Sequence, residues 1–157
     1  PRIKVLIVGP YDEAVGSFEY YNYLQKLTQK YSLQHMIIFT GNREDVATIM
    51  NNSNIIVHTS VKPEPQGIVL LEALLCRKPV IATNAGGAAE IIKKYGGILV
   101  QPSDAEMLSR VLLHLILKKN QMDTGEHYPD NYEKLINDLD PENKTQQLMN
   151  IYKSVLN

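Results

Sequence analysis

Residues 54–83 read Asn54-Ile55-Ile56-Val57-His58-Thr59, then Ser60-Val61-Lys62-Pro63-Glu64-Pro65-Gln66, then Gly67-Ile68-Val69-Leu70-Leu71-Glu72-Ala73-Leu74-Leu75-Cys76. After Arg77-Lys78 they close on Pro79-Val80-Ile81-Ala82-Thr83. The two flanking runs are short, β-branched and apolar, the composition of strands covered on both faces. The middle run opens at a glycine and continues in good helix formers. Strand, helix and strand in that order make a βαβ unit, whose strands lie parallel.

The same alternation runs outward in both directions. Strands are predicted over 3–8, 35–40, 54–59, 79–83 and 97–100, and helices over 17–30, 44–51, 67–76, 88–94 and 104–119. The expected fold is α/β, a parallel sheet with helices on both faces. Ser103-Asp104-Ala105-Glu106 reads as a helix cap with acid in the first turn, and Gly96-Gly97 stops the preceding helix before the last strand. Beyond Lys118-Lys119 a polar stretch, Asn120 to Gly125, leads to two further helical pieces. The last starts at Pro141 and sets Leu148, Ile151, Tyr152 and Val155 on one stripe, the pattern of a tail helix that docks. The expected division is 1–119 as one α/β domain and 120–157 as a helical tail.

With 157 residues, 44% of them apolar, the chain suits one ordinary domain with a core, which excludes disorder and a disulfide scaffold. Sixteen basic residues against seventeen acidic ones, net -1, exclude a broad nucleic-acid footprint. The single cysteine, Cys76, forms no intrachain disulfide and no CxxC site, which points to a reducing, cytoplasmic setting. No apolar run approaches the roughly 20 residues that span a bilayer. The start, Pro1-Arg2-Ile3-Lys4, has neither an initiator methionine nor a signal-peptide pattern, and predicts a fragment of a longer chain.

In an open parallel sheet the ligand sits beyond the carboxyl ends of the strands, so the strand-to-helix loops matter most. The first, Gly9-Pro10-Tyr11-Asp12-Glu13-Ala14-Val15-Gly16, is not GxGxxG. Walker A, GxSxG and HExxH patterns are absent, and the four histidines are too scattered for a metal cage. The third loop carries two glutamates eight apart. Pro63 and Pro65 hold Glu64 out of any helix, Gly67 lets the backbone turn, and Glu72 falls about five residues into the helix, roughly 7 Å along its axis. Between the acids lie the free N–H groups of Gly67, Ile68 and Val69, at the positive end of the helix dipole. A diphosphate calls for such amides. Sugar and ribose hydroxyls suit the carboxylates, through charge-assisted hydrogen bonds. Read singly, each glutamate is equally a solvated loop acid or a dipole complement.

With the Pro-x-Gly turn and the Ile-Val-Leu-Leu run, this segment resembles the E-x7-E signature of the retaining family 4 glycosyltransferases. Three more pieces look like that family in the same order. Lys78-Pro79-Val80-Ile81-Ala82-Thr83 resembles its buried strand, Gly86-Gly87-Ala88-Ala89-Glu90 its G-G-x-x-E turn, and Gly97-Ile98-Leu99-Val100-Gln101-Pro102-Ser103-Asp104 its closing strand and helix cap. The resemblance covers roughly residues 3–119. It implies a Rossmann-like three-layer domain, the C-terminal donor-binding half of a GT-B enzyme, that uses a nucleoside-diphosphate sugar and no bound metal or other cofactor. It implies transfer of the sugar to an acceptor hydroxyl with retention, the acceptor being a sugar or lipid-linked group held by a preceding domain.

By the same resemblance Glu64 holds hydroxyls of the transferred sugar at the reacting centre and Glu72 holds the ribose. The backbone at Gly67, Ile68 and Val69 takes the diphosphate or nearby sugar groups. Gly41-Asn42-Arg43, after the second strand, is where such enzymes meet the base, although Arg43 also reads as a solvated first-turn residue. Gly86 and Gly87 allow close approach to a ligand or merely form a tight turn before a helix. Lys62 neutralises phosphate or is solvated, and Glu90 caps its short helix. His58 and Cys76 are assigned to packing, and Tyr20-Tyr21-Asn22-Tyr23 to helix surface and core or a partner-facing patch. The family's first strand, central in its sheet, and an Arg and Lys that neutralise the diphosphate are missing before Ile3, and Gln66 stands where an aromatic is frequent. The isolated piece is therefore expected to be inactive alone and, with the stripe of its tail helix uncovered, to self-associate. Polysaccharide or glycolipid synthesis, with peripheral membrane association of the full-length enzyme, is the family expectation. A nucleotide-sugar 2-epimerase and a non-catalytic nucleotide-sugar binding module are the alternatives.

Overall fold

The computed structural model of the chain describes residues 3–11, 17–119 and 131–156. The chain divides into two compact units, Pro1–Val46 and Ala47–Asn157. The first contains β1 (Val5–Val8), α1 (Ser17–Lys30) and β2 (Ile37–Gly41), with β1 and β2 parallel. At α1 the prediction matches residue for residue. Its end is a turn with Ser32 at φ 55 and the Leu33 amide returning to the Thr28 carbonyl at 2.9 Å, a Schellman-type stop without glycine. β2 starts two residues later than predicted because the Met36 and Ile37 amides both turn back to the Leu33 carbonyl. Tyr21 on α1 meets Phe39 of β2 edge-on at 5.2 Å and stacks on Tyr11 at 4.2 Å, so this half-buried ring is the inward-facing member of the cluster, while Tyr20 and Tyr23 are exposed.

The second unit contains β3 (Ile56–His58), α3 (Ile68–Leu75), β4 (Val80–Thr83), α4 (Gly86–Tyr95), β5 (Ile98–Val100), α5 (Ala105–Lys119), α6 (Tyr132–Leu139) and α7 (Pro141–Leu156), while α2 (Val46–Asn52) begins at the boundary. The strands pair in parallel in the order β3-β4-β5. β4 is central and every one of its residues is buried, as its unbroken Val-Ile-Ala-Thr run demands. Successive side chains of a strand point to opposite faces. Ile81 packs with Val100, Leu115, Met107, Leu108 and Val111, which puts α5 on one face, while α3 and α4 contact β4 and each other. The result is a helix–sheet–helix sandwich. Asp104 Oδ1 accepts from the Met107 amide at 2.8 Å, so the predicted cap of α5 is made by Asp104.

Two expectations change. The five strands form a two-stranded and a three-stranded sheet rather than one. Among the described residues β1 pairs with β2, and β3 with β4. Coverage of both faces fails at β1, where Val5, Leu6 and Val8 are each about 40% exposed. The connection Asn120 to Gly125 and most of the first loop, 12–16, lie outside the described residues. Of the tail stripe, Leu148 and Ile151 are exposed, and the side chains of Tyr152 and Val155 lie outside the described set.

Candidate functional site

The loop from His58 to α3 is tied down from two neighbours. Buried Thr83, the last residue of β4, donates its hydroxyl to the Ser60 carbonyl at 2.7 Å, and Ser60 Oγ donates to the Lys62 carbonyl at 2.9 Å. The Gly87 amide donates to the Glu64 carbonyl at 2.8 Å. Gly86 and Gly87 do not precede a helix, as the sequence reading had it; they are the first two residues of α4. A Cβ on Gly86 would lie 2.6 Å from the Glu64 carbonyl oxygen, and one on Gly87 2.6 Å from that of Pro65. Their near neighbour is thus the Glu64 loop itself. Two bare backbones let α4 press against it.

Gly67 caps α3 at φ 58, with no side chain bonding the helix start, and is itself buried. A Cβ there would meet Ile91 Cδ1 at 3.1 Å and Glu64 Oε1 at 3.3 Å, so the Glu64 carboxylate lies close to the head of the helix. Leu70 takes the first turn back, its amide 2.9 Å from the Gly67 carbonyl. The preceding amides, at Ile68 and Val69, belong to the group that a helix cannot satisfy internally, and these residues are 58% and 37% exposed. α3 buries Leu70, Ala73 and Leu74 and turns Ile68, Val69, Glu72 and Leu75 outward. Glu72, four residues after Ile68 and three after Val69, therefore shares the open face with the exposed start of the helix. No acidic residue stands in the first turn to occupy its positive end.

His58, assigned to packing from the sequence, does more. Its Nε2 lies 2.9 Å from Glu64 Oε1 across the loop. The signal was its place at the carboxyl end of a strand, where site residues gather. Lys62 is exposed, and Cys76 is half-buried at the end of α3. Gly41 and Arg43 belong to the first unit. Gly41 has φ 69 and sits against Tyr11, whose hydroxyl is 3.3 Å from where a Cβ would be. Arg43 donates from Nε and Nη2 to the two oxygens of Asp45, both at 2.7 Å. That hydrogen bonding, with the charge attraction, raises the guanidinium above its ordinary pKa, and the same bonds lower Asp45. Among the described residues no group of three or more His, Cys, Asp or Glu side chains is gathered as a metal site. No described helix is long and apolar enough to cross a membrane.

Comparison with known proteins matches residues 1–131 to the family described as glycosyl transferases group 1. The chain is 36% identical over 118 residues to the alpha-1,3/1,6-mannosyltransferase ALG2 of Saccharomyces cerevisiae, covering 60% of this chain and 24% of that one. It is 30% identical over 145 residues to the uncharacterized glycosyltransferase MJ1607 of Methanocaldococcus jannaschii, covering 88% of this chain and 35% of that one. The crystal structure of Anabaena Alr3699/HepE in complex with UDP and glucose superposes with a TM-score of 0.82 at 28% identity, over 98% of this chain and 41% of that one. The chain thus spans well under half the length of each. By sequence and by fold it belongs to the group 1 glycosyl transferases, as the Rossmann-like C-terminal half of their GT-B architecture.

Proposed function

We propose that the head of α3 binds the diphosphate of a nucleoside-diphosphate sugar, and that the protein carrying this chain transfers the sugar to an acceptor hydroxyl with retention at the anomeric carbon. The observation that carries this reading is the start of α3, where no side chain bonds the helix end and Ile68 and Val69 are exposed, flanked by the carboxylate of Glu64 at its head and that of Glu72 one turn along. Amides and dipole at a helix start suit a diphosphate, and carboxylates suit sugar hydroxyls. The presence of UDP and glucose in the Anabaena relative supports the same ligand class here.

As the leaving diphosphate gathers charge in the transition state, the amides of Ile68 and Val69 stabilise it in place, with no reorganisation at the moment of reaction. Glu64 grips the sugar near its reacting carbon, and Glu72 grips the ribose. Lys62 adds a cation, and Gly41 and Arg43, in the first unit, are assigned to the base. Gly86 and Gly87 act through the loop they support. Residues 1–119 serve as the donor domain and 120–157 as a tail that packs on it or on a preceding domain holding the acceptor. The chain alone is then inactive, and the exposed stripe of α7 favours self-association. The cytoplasm, where the acceptor is a growing polysaccharide or a lipid-linked sugar, is the setting.

In the full-length enzyme, Glu64→Gln lowers kcat/KM about 10- to 100-fold, the size expected when hydrogen bonds to a charged acceptor worth ~1.5–3 kcal/mol are weakened. Glu72→Gln raises the donor KM with a smaller change in kcat. Steady-state kinetics with uridine, guanosine and adenosine diphosphate sugars measures both. Undiminished transfer by Glu64→Gln defeats the assignment, and product analysis without acceptor separates transfer from epimerisation.

A further inference from the structure

His58 is the last residue of β3, and Glu64 lies six residues on, across a loop with two prolines. The carboxylate is partly covered: its side chain is 33% exposed, yet Oε1 is buried, so the exposure belongs to Oε2 and the methylenes. Oε1 faces inward between His58 Nε2, at 2.9 Å, and the start of α3. The imidazole is more covered still, at 14%, and its Nδ1 is buried with no hydrogen-bond partner.

A ring that only filled space would incur the desolvation of two nitrogens for nothing, and an apolar side chain would do better. Among the described residues its close ionic neighbour is the Glu64 carboxylate. At 2.9 Å Nε2 is within donating distance of Oε1. The two atoms are in close contact without the alignment of a full hydrogen bond.

Building on the sugar-binding role proposed for Glu64, we infer that His58 is a positioning residue. It holds Oε1 inward and so presents Oε2 to the transferred sugar. The Gly87 amide fixes the backbone of Glu64, while His58 fixes its carboxylate. With both ends held, the acid keeps one rotamer when the donor arrives, and a small misplacement at this point is costly to the chemical step.

The test is a mutant cycle in the full-length enzyme. His58→Gln retains an N–H at nearly the reach of Nε2, whereas His58→Asn stays polar but withdraws it by one methylene. The expected result is His58→Gln within about threefold of the parent kcat and His58→Asn down about tenfold or more, with donor KM within about threefold and unchanged melting temperatures. In a Glu64→Gln background, His58→Asn should add little further loss, because the group it positions is already altered. A purely structural histidine predicts equal effects of Gln and Asn, or losses that track thermal stability and add fully to Glu64→Gln. Either result overturns the inference while leaving Glu64 in its role. An inert Glu64→Gln removes the sugar-binding reading itself.

Discussion

Gly87 donates its amide to the Glu64 carbonyl from so short a range that a methyl group has nowhere to go, since its Cβ would stand 2.6 Å from the Pro65 oxygen. Gly87 is not among the glycines at positive φ, so Gly87→Ala probes the steric contact alone. The substitution is expected to cost about 1–3 kcal/mol, the usual range for overpacking, and to weaken donor binding by displacing the Glu64 loop. Denaturant unfolding and donor titration of the same variant read the two effects. At this scale the sequence was legible where a residue type carries its own conformational meaning. Gly67 turns the chain at φ 58 and Asp104 caps α5, as their identities suggest. The contact of His58 with Glu64 was not legible because it is reached through a fold of the loop, and no spacing rule places a strand-end ring against a carboxylate six residues later. Arg43 was read without its bidentate hold on Asp45, two residues away in a turn.

α6 is held to the second unit by its buried Leu135, 0% exposed, and by Asp138, which reaches α4. Leu135→Ala should cost about 2–5 kcal/mol, as for a fully buried leucine, and thermal unfolding would register it. Asp138 accepts from Tyr95 Oη at 2.9 Å and pairs with Lys94 Nζ at 2.8 Å. The hydrogen bond from Lys94, then that from Tyr95, lowers the Asp138 pKa, while Asp138 first and Tyr95 second raise that of Lys94. A depressed carboxylate stabilises the fold above its ordinary pKa and loses that contribution as pH falls through the depressed one. A raised ammonium stabilises below its ordinary pKa and loses its share as pH rises through the raised one. The clamp is thus complete across the neutral range. Asp138→Asn should flatten the acid-side decline in stability without altering the Glu64 loop, and urea unfolding from neutral to acid pH tests it. Elements were legible where a run of residue types is long and unmixed, as in β4, or periodic, as in α1 and α5. Ends were less so. Ser32 and Arg77, both at φ 55, occupy the left-handed position that glycine would have advertised.

For the whole molecule, the layered α/β class followed from the order of elements alone, but pairing did not. Strand identity is a local property, whereas pairing depends on which neighbour is present. Among the described residues β1 pairs with β2 alone and β3 with β4 alone, and apolar Val5, Leu6 and Val8 are partly exposed. The chain spans 24% of the yeast relative and 41% of the Anabaena one, so sugar transfer is a property to be assayed in the longer protein. The claim at the centre concerns one place: the amides that open α3 receive a pyrophosphate. Amide-resolved hydrogen exchange of the full-length protein, with and without uridine, guanosine and adenosine diphosphate sugars, addresses it directly. The account predicts that at least one of these donors slows exchange at Ile68 and Val69, and that Glu72→Gln weakens the effect. Sugar transfer from a donor that leaves both amides exchanging at their ligand-free rates would contradict it.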